Sequence, residues 1–132
     1  MNLRRGWRLL SAEARRASHP GFALPSLDAR MSVAVGQAVK LLFDIETRED
    51  GQVVDRGVDR MWVIVRRRAG GRYAGVLDRD PGRAENLLLR PGDEVEFGPE
   101  HITDIDSPPR EYVIRKYGAR FFDGASTSDR TR

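Results

Sequence analysis

Between Asp59 and Asp78 the chain reads Asp59-Arg60-Met61-Trp62-Val63-Ile64-Val65-Arg66, then Arg67-Arg68-Ala69-Gly70-Gly71, then Arg72-Tyr73-Ala74-Gly75-Val76-Leu77-Asp78. Met61, Val63 and Val65 alternate with Trp62, Ile64 and Arg66, a period of two that puts one wholly apolar face on a strand. The other face turns polar toward the glycines. Gly70 and Gly71 accept positive φ at no steric cost, so the segment is expected to be a β-hairpin. Gly75 is expected to leave room for a large ring such as Trp62 to lie across the backbone.

The flanking sequence repeats the pattern. Val39, Leu41, Phe43 and Ile45 alternate with Lys40, Leu42, Asp44 and Glu46, predicting a half-buried strand that exits through an Asp50-Gly51 hairpin turn. The polar piece from Val53 to Val58, broken by Gly57, is expected to be a loop or a ragged strand start. Asp80-Pro81-Gly82 is turn chemistry, Leu87-Leu88-Leu89 is expected to plug the core, and Arg90-Pro91-Gly92-Asp93 fits a type II turn. Val95 and Phe97 then point inward from a short strand. Pro99 to Ile105 reads as a helical turn whose Ile102 and Ile105 cover one end of a barrel. After Pro108-Pro109, alternation from Tyr112 to Tyr117 predicts a last strand.

Helical signals are brief. Ser11 caps a short helix through Ala17, with Glu13 in its first turn and arginines in its last, packed through Trp7, Leu10 and Ala14. Ser26 caps a single turn before Met31, and Phe22 and Leu24 are placed to close an end of the barrel. The fold class is mainly β: a small five-stranded, strongly bent antiparallel sheet, an SH3-like open barrel, with a short N-terminal helix. Residues 1–18 form a basic leader, 19–117 a single β-rich domain, and 118–132 a polar tail whose last ten residues read as disordered.

The charge balance is modest: 23 basic against 20 acidic residues, a net +3. Lysine occurs only at Lys40 and Lys116, so the basic character is arginine's. There is no cysteine, which removes disulfides, thiolate metal sites and cysteine nucleophiles. No apolar run reaches the roughly 18 residues a membrane-spanning helix needs. Leu9-Leu10 behind the N-terminal arginines is too short for a signal-peptide core. The expectation is a cytoplasmic protein with no membrane association.

Three blocks resemble a family of small bacterial proteins known only as a domain of unknown function. They are Val35 to Phe43; Asp59 to Val63 together with Tyr73 to Pro81; and Leu89 to Ile102. The shared features are a Met-Trp strand, a strand end of the form Gly-x-Leu-x-Asp/Asn-x-Pro and a Gly-Asp turn, covering roughly residues 19 to 106. Such domains are often encoded beside secreted toxins. The resemblance therefore implies an immunity role, with a toxin domain as partner, and supplies no catalytic residues.

The residues themselves name no reaction. No Ser-His-Asp order, phosphate-cradling glycine loop or HExxH spacing occurs. His101 and Asp104 would share a face if their segment were helical, and Asp106 is the nearest third ligand for a metal. Asp78 and Asp80 lie two apart at a strand end, where a carboxylate pair could do acid–base work or simply bond turn amides. Arg66, Arg67, Arg68 and Arg72 gather at the hairpin tip beside Tyr73. A second basic group is Arg110, Arg115, Lys116 and Arg120. The leading expectation is a non-catalytic module, without cofactor, that binds another protein through Arg66, Arg67, Arg68 and Arg72 with Asp78 and Asp80 at the opposite end. The alternatives are an RNA- or ribosome-binding barrel using the same arginines, and a metal-assisted hydrolase using His101, Asp104 and Asp106.

Overall fold

A computed structural model describes residues 3–78 and 92–123, with side chains from Gly6 onward. The elements in chain order are β1 (Leu3–Leu9), α1 (Ala12–Ser18), α2 (Leu27–Met31), β2 (Ala38–Glu49), β3 (Gln52–Ala69), β4 (Arg72–Asp78), β5 (Glu94–Phe97), a 3-10 turn (Pro99–His101), β6 (Ile102–Asp106) and α3 (Arg110–Tyr117). All strand pairings are antiparallel, in the order β1-β2-β3-β4-β5, with β6 also on β2. β6 takes the first part of the β2 edge, Ala38 to Leu41, and β1 takes the rest, Phe43 to Glu49. The chain leaves β5 on one side of the sheet, passes through the 3-10 turn and enters β6 on the other. That crossing curls the sheet into the expected SH3-like half-barrel.

The inner face holds the main core. Val39, Leu41, Phe43, Met61, Val63, Val65, Tyr73, Leu77, Val95, Phe97 and Ile102 are buried there with Val33. Tyr73 lies in this core as its alternation requires, stacked on Phe97 with ring centroids 5.3 Å apart. Its hydroxyl donates to the Arg30 carbonyl at 2.7 Å and so ties α2 to the sheet. Both hairpin turns have positive φ at their two central residues, Asp50-Gly51 and Gly70-Gly71, as the sequence requires. Among the described residues no helix is long and apolar enough to cross a membrane.

Four local expectations are corrected. Tyr112 to Tyr117 is a helix, α3, not a strand. Pro109 starts it, Gly118 at φ 106° stops it, and Val113 and Tyr117, four apart, face the sheet. Residues 53–58 belong to β3, which continues for 18 residues because β2 pairs with it from Ala38 to Glu49; the partner strand overrides poor local propensity. Ile102 to Asp106 pairs with β2 as β6 instead of continuing the helical turn. Gly75 makes no room for Trp62: a Cβ there would lie 2.5 Å from the Ile64 carbonyl oxygen and 2.6 Å from Val63 Cγ1, so the requirement is close backbone approach.

The outer face carries a second core. Ala38, Ile64, Val76, Val113 and Phe121 are buried together there, with Trp62, Tyr112, Tyr117 and Phe122 packed around them. Phe121 comes from the stretch read as tail. Residues 3–9, read as leader, run as β1 beside β2, where Trp7 packs on Phe43 at 5.4 Å. α1 follows with its Ser11 cap in place, and it buries Ala12 while Ala14 is exposed. Asp80, the Asp80-Pro81-Gly82 turn, Leu87 to Leu89, Arg90-Pro91 and residues 124–132 lie outside the described residues.

Candidate functional site

The structure separates the hairpin-tip arginines. The β3–β4 register shifts between Val65 and Arg67, leaving Arg66 as the extra residue of a bulge. A bulge re-aims the side chains beyond it. Arg66 lies over Phe121, its guanidinium 5.7 Å from the ring centroid. Arg67 pairs with Glu94 of β5. Arg68 swings to the Tyr73 side, over that ring and toward the Met31 carbonyl. Arg72 bonds Glu100 at 3.3 Å. The four side chains serve four separate contacts.

Asp78 is engaged by α3. Tyr112 and Tyr117 donate their hydroxyls to it, and the Lys116 ammonium reaches it at 2.7 Å. Burial works to raise this carboxyl, but the three donors outweigh it and hold it below the usual range. Burial and the neighbouring carboxylate push the Tyr117 phenol well above its ordinary value. This constellation anchors the helix to the end of β4. Lys116 is thereby removed from the second basic group, and Arg110 covers the Phe122 ring at 3.8 Å.

The three metal candidates do not converge. The helical turn ends at His101, so His101 and Asp104 do not share a helical face. His101 Nδ1 instead accepts from the Gly98 amide at 3.0 Å. Asp104 accepts from the Ile105 amide, and Asp106 is exposed at the end of β6. Among the described residues no three His, Cys, Asp or Glu side chains gather as a metal ion would require.

The feature with the right shape for recognition lies elsewhere, on the outer face where β2 and β3 extend past β4. A groove of about 630 Å³ is lined by Arg15, Ser18, His19, Pro20, Gly21, Phe22, Leu42, Val58 and Arg60. Leu42 and Arg60 are paired residues of β2 and β3, and Asp44 and Val58 are the next such pair toward the hairpin end. The loop from Ser18 to Phe22 forms the facing wall. It is held by the Phe22 amide on the His19 carbonyl and by Arg16 donating to the Phe22 carbonyl at 3.0 Å. Leu42 is the buried floor, and Val58 is nearly half exposed at 47%. The Arg60 guanidinium sits 5.9 Å from the Phe22 ring centroid.

Asp44, the strand partner of the lining residue Val58, lies beside the groove. Its side chain is only 7% exposed and takes both Arg8 and Arg56 at 2.9 Å. The hydrogen bonds from Arg56 and then Arg8 hold its carboxyl below the usual range, against burial. Two guanidiniums on one carboxylate leave a positive charge over. Arg15 and Arg60 have no carboxylate partner among the described residues. Both therefore bring positive charge to a groove with exposed apolar surface.

Sequence reading missed this site because its parts come from α1, a loop, β2 and β3. The available signal was the exposed valines of a segment read as loop, facing arginines on both sides. Comparison with models of known protein families, with curated proteins and with solved structures found no match.

Proposed function

We propose that this chain is a non-catalytic binding module that recognises another protein through the groove on the outer face of β2 and β3. The observation that carries this reading is the pairing of two uncompensated arginines, Arg15 and Arg60, with the apolar surface of Phe22, Leu42 and Val58. Charge complementarity of this kind steers encounter and selects a partner, and the apolar floor supplies area to bury. The resemblance to small bacterial domains encoded beside secreted toxins makes a toxin domain the specific partner, and neutralisation the role.

An RNA partner is the second reading, because arginines flanking an exposed ring can track phosphates and stack a base. The experiment is site-specific photo-cross-linking of the full chain in its native host, with the photoreactive residue at Val58 or, as a control, at Glu111. The expected result is one protein cross-linked from position 58 and not from 111. Cross-links chiefly to RNA would favour the second reading. Cross-links to neither, or only to a second copy of the chain, would overturn the proposal.

A further inference from the structure

Resting on the reading of this chain as a protein-binding module, we infer that the partner contributes an extended segment, which adds as an antiparallel strand to the open edge of β3 from Arg56 to Arg60. The segment carries an aliphatic side chain opposite Val58 and an acidic one two residues to either side.

One edge of β3 is covered by β4 from Trp62 onward. Among the described residues no strand continues that cover over Arg56, Val58 and Arg60, and every residue from Gln52 to Val58 is exposed. The direction of the backbone follows from Val65. Its N–H donates to the Gln37 carbonyl and its carbonyl accepts from the Gly36 amide, both at 2.8 Å and both in line with β2. Backbone groups alternate in direction along a strand, and the β2–β3 register is unbroken from Ile64 to Asp55. Gly57 and Asp59 therefore turn to β2, while Arg56, Val58 and Arg60 turn their N–H and C=O groups to the open side. A row that alternates donors with acceptors is matched by another extended backbone. Phosphates offer acceptors alone.

A second copy of the chain matches this edge poorly. Two identical antiparallel edges related by a two-fold axis meet where a residue stands opposite itself. Centring on Val58 sets Arg56 against Arg60, centring on Gly57 sets Asp55 against Asp59, and centring on Arg56 sets it against itself. Like charges directly opposite are destabilising. A foreign strand escapes this conflict. Arg56, Val58 and Arg60 lie on the outer face across from Glu46, Asp44 and Leu42. Arg56 shares Asp44 with Arg8, and Arg60 has no carboxylate partner among the described residues. Acidic side chains opposite the two arginines, with an aliphatic one opposite Val58 between them, complement the edge.

Fluorescence anisotropy with the full chain and a labelled, end-capped heptapeptide, Thr-Glu-Thr-Val-Thr-Glu-Thr, tests the inference. In the inferred register the amides of its Glu and Val residues face β3 and those of its inner Thr residues face away. N-methylation of the Glu and Val amides should weaken binding at least tenfold, and N-methylation of the inner Thr amides should leave it unchanged. Lysine in place of both glutamates should also weaken it at least tenfold. Val58→Pro removes one donor from the open edge and none from the pairing with β2, a position where an edge strand tolerates proline. It should weaken the peptide about tenfold, with circular dichroism checking the fold. The methylation pattern tests the same bonds without altering the protein. No measurable binding, or equal sensitivity to the two methylation patterns, would overturn the inference. Sedimentation of the free chain should show a monomer, and a dimer that Val58→Pro dissociates would assign the edge to a second copy and overturn it too. A protein cross-linked from position 58, with a methylation pattern that makes no difference, would sink the added strand and spare the module reading. Failure to cross-link any protein there would sink the module reading, whichever way the peptide behaves.

Discussion

At the scale of single residues, three side chains carry more of the fold than their type suggests. Arg30 is 7% exposed and joins three segments, donating to the Pro25 carbonyl, the Pro99 carbonyl and the Glu13 carboxylate. Arg30→Ala leaves two part-buried carbonyls and the Glu13 carboxylate without this donor, and is expected to cost about 2 kcal/mol in chemical denaturation. Gly75 stands where the β3 backbone presses on β4, so Gly75→Ala should cost about 2–3 kcal/mol by overpacking and lower the midpoint without changing the denaturant slope. His101 accepts the Gly98 amide through Nδ1, which needs a neutral ring. Burial lowers its pKa, and nearby Arg72 adds to this, against the opposing pull of Glu100 and Glu13. A histidine whose folded value lies below its unfolded one loses stability as pH falls through the unfolded value, about 6.5. The melting temperature should therefore drop between pH 7 and 5.5, and His101→Gln, which keeps an acceptor without titrating, should flatten that slope.

At the scale of elements, periodicity revealed the strands that bury one face and failed where both faces are covered. Met61, Val63 and Val65 announced the inner core, and Tyr73, Val95 and Phe97 joined it as alternation requires. Ile64 and Trp62 looked like the less important face until α3 and Phe121 were seen to cover them. The α3 helix itself was hidden because eight residues are too few to separate a period of two from one of 3.6; its proline entry and glycine exit were the better signals. β1 and the outer half of β3 exist through pairing with β2, a long-range cause that no local window contains. The bulge at Arg66 is equally silent in the sequence, yet it decides that four neighbouring arginines part company. The two-sided sheet makes a quantitative claim. Ile64→Ala should cost about 3 kcal/mol, similar to Leu41→Ala on the inner face, since both side chains are fully buried. An exposed outer face would instead make the change nearly neutral, within about 0.5 kcal/mol.

At the scale of the whole molecule, several carboxylates hold nearby arginines: Glu94 with Arg67, Glu100 with Arg72, Glu46 with Arg48 and Glu13 with Arg30. Arg15 and Arg60, without a carboxylate partner among the described residues, line one groove beside apolar surface, and that placement, not the net charge of +3, is the functional signal. Overall charge was legible from composition, whereas its placement depends on which partners the fold provides. The hairpin tip looked like the contact surface in sequence and is occupied with internal contacts in three dimensions. The groove looked like nothing in sequence and joins two arginines without carboxylate partners among the described residues to apolar surface. Hydrogen–deuterium exchange of the full chain, free and bound to the protein captured by photo-cross-linking, tests this most directly. The account predicts protection on binding confined to residues 15–22, 42–44 and 56–60. Protection at the hairpin tip, residues 66–72, or along α3, with the groove unchanged, would contradict it.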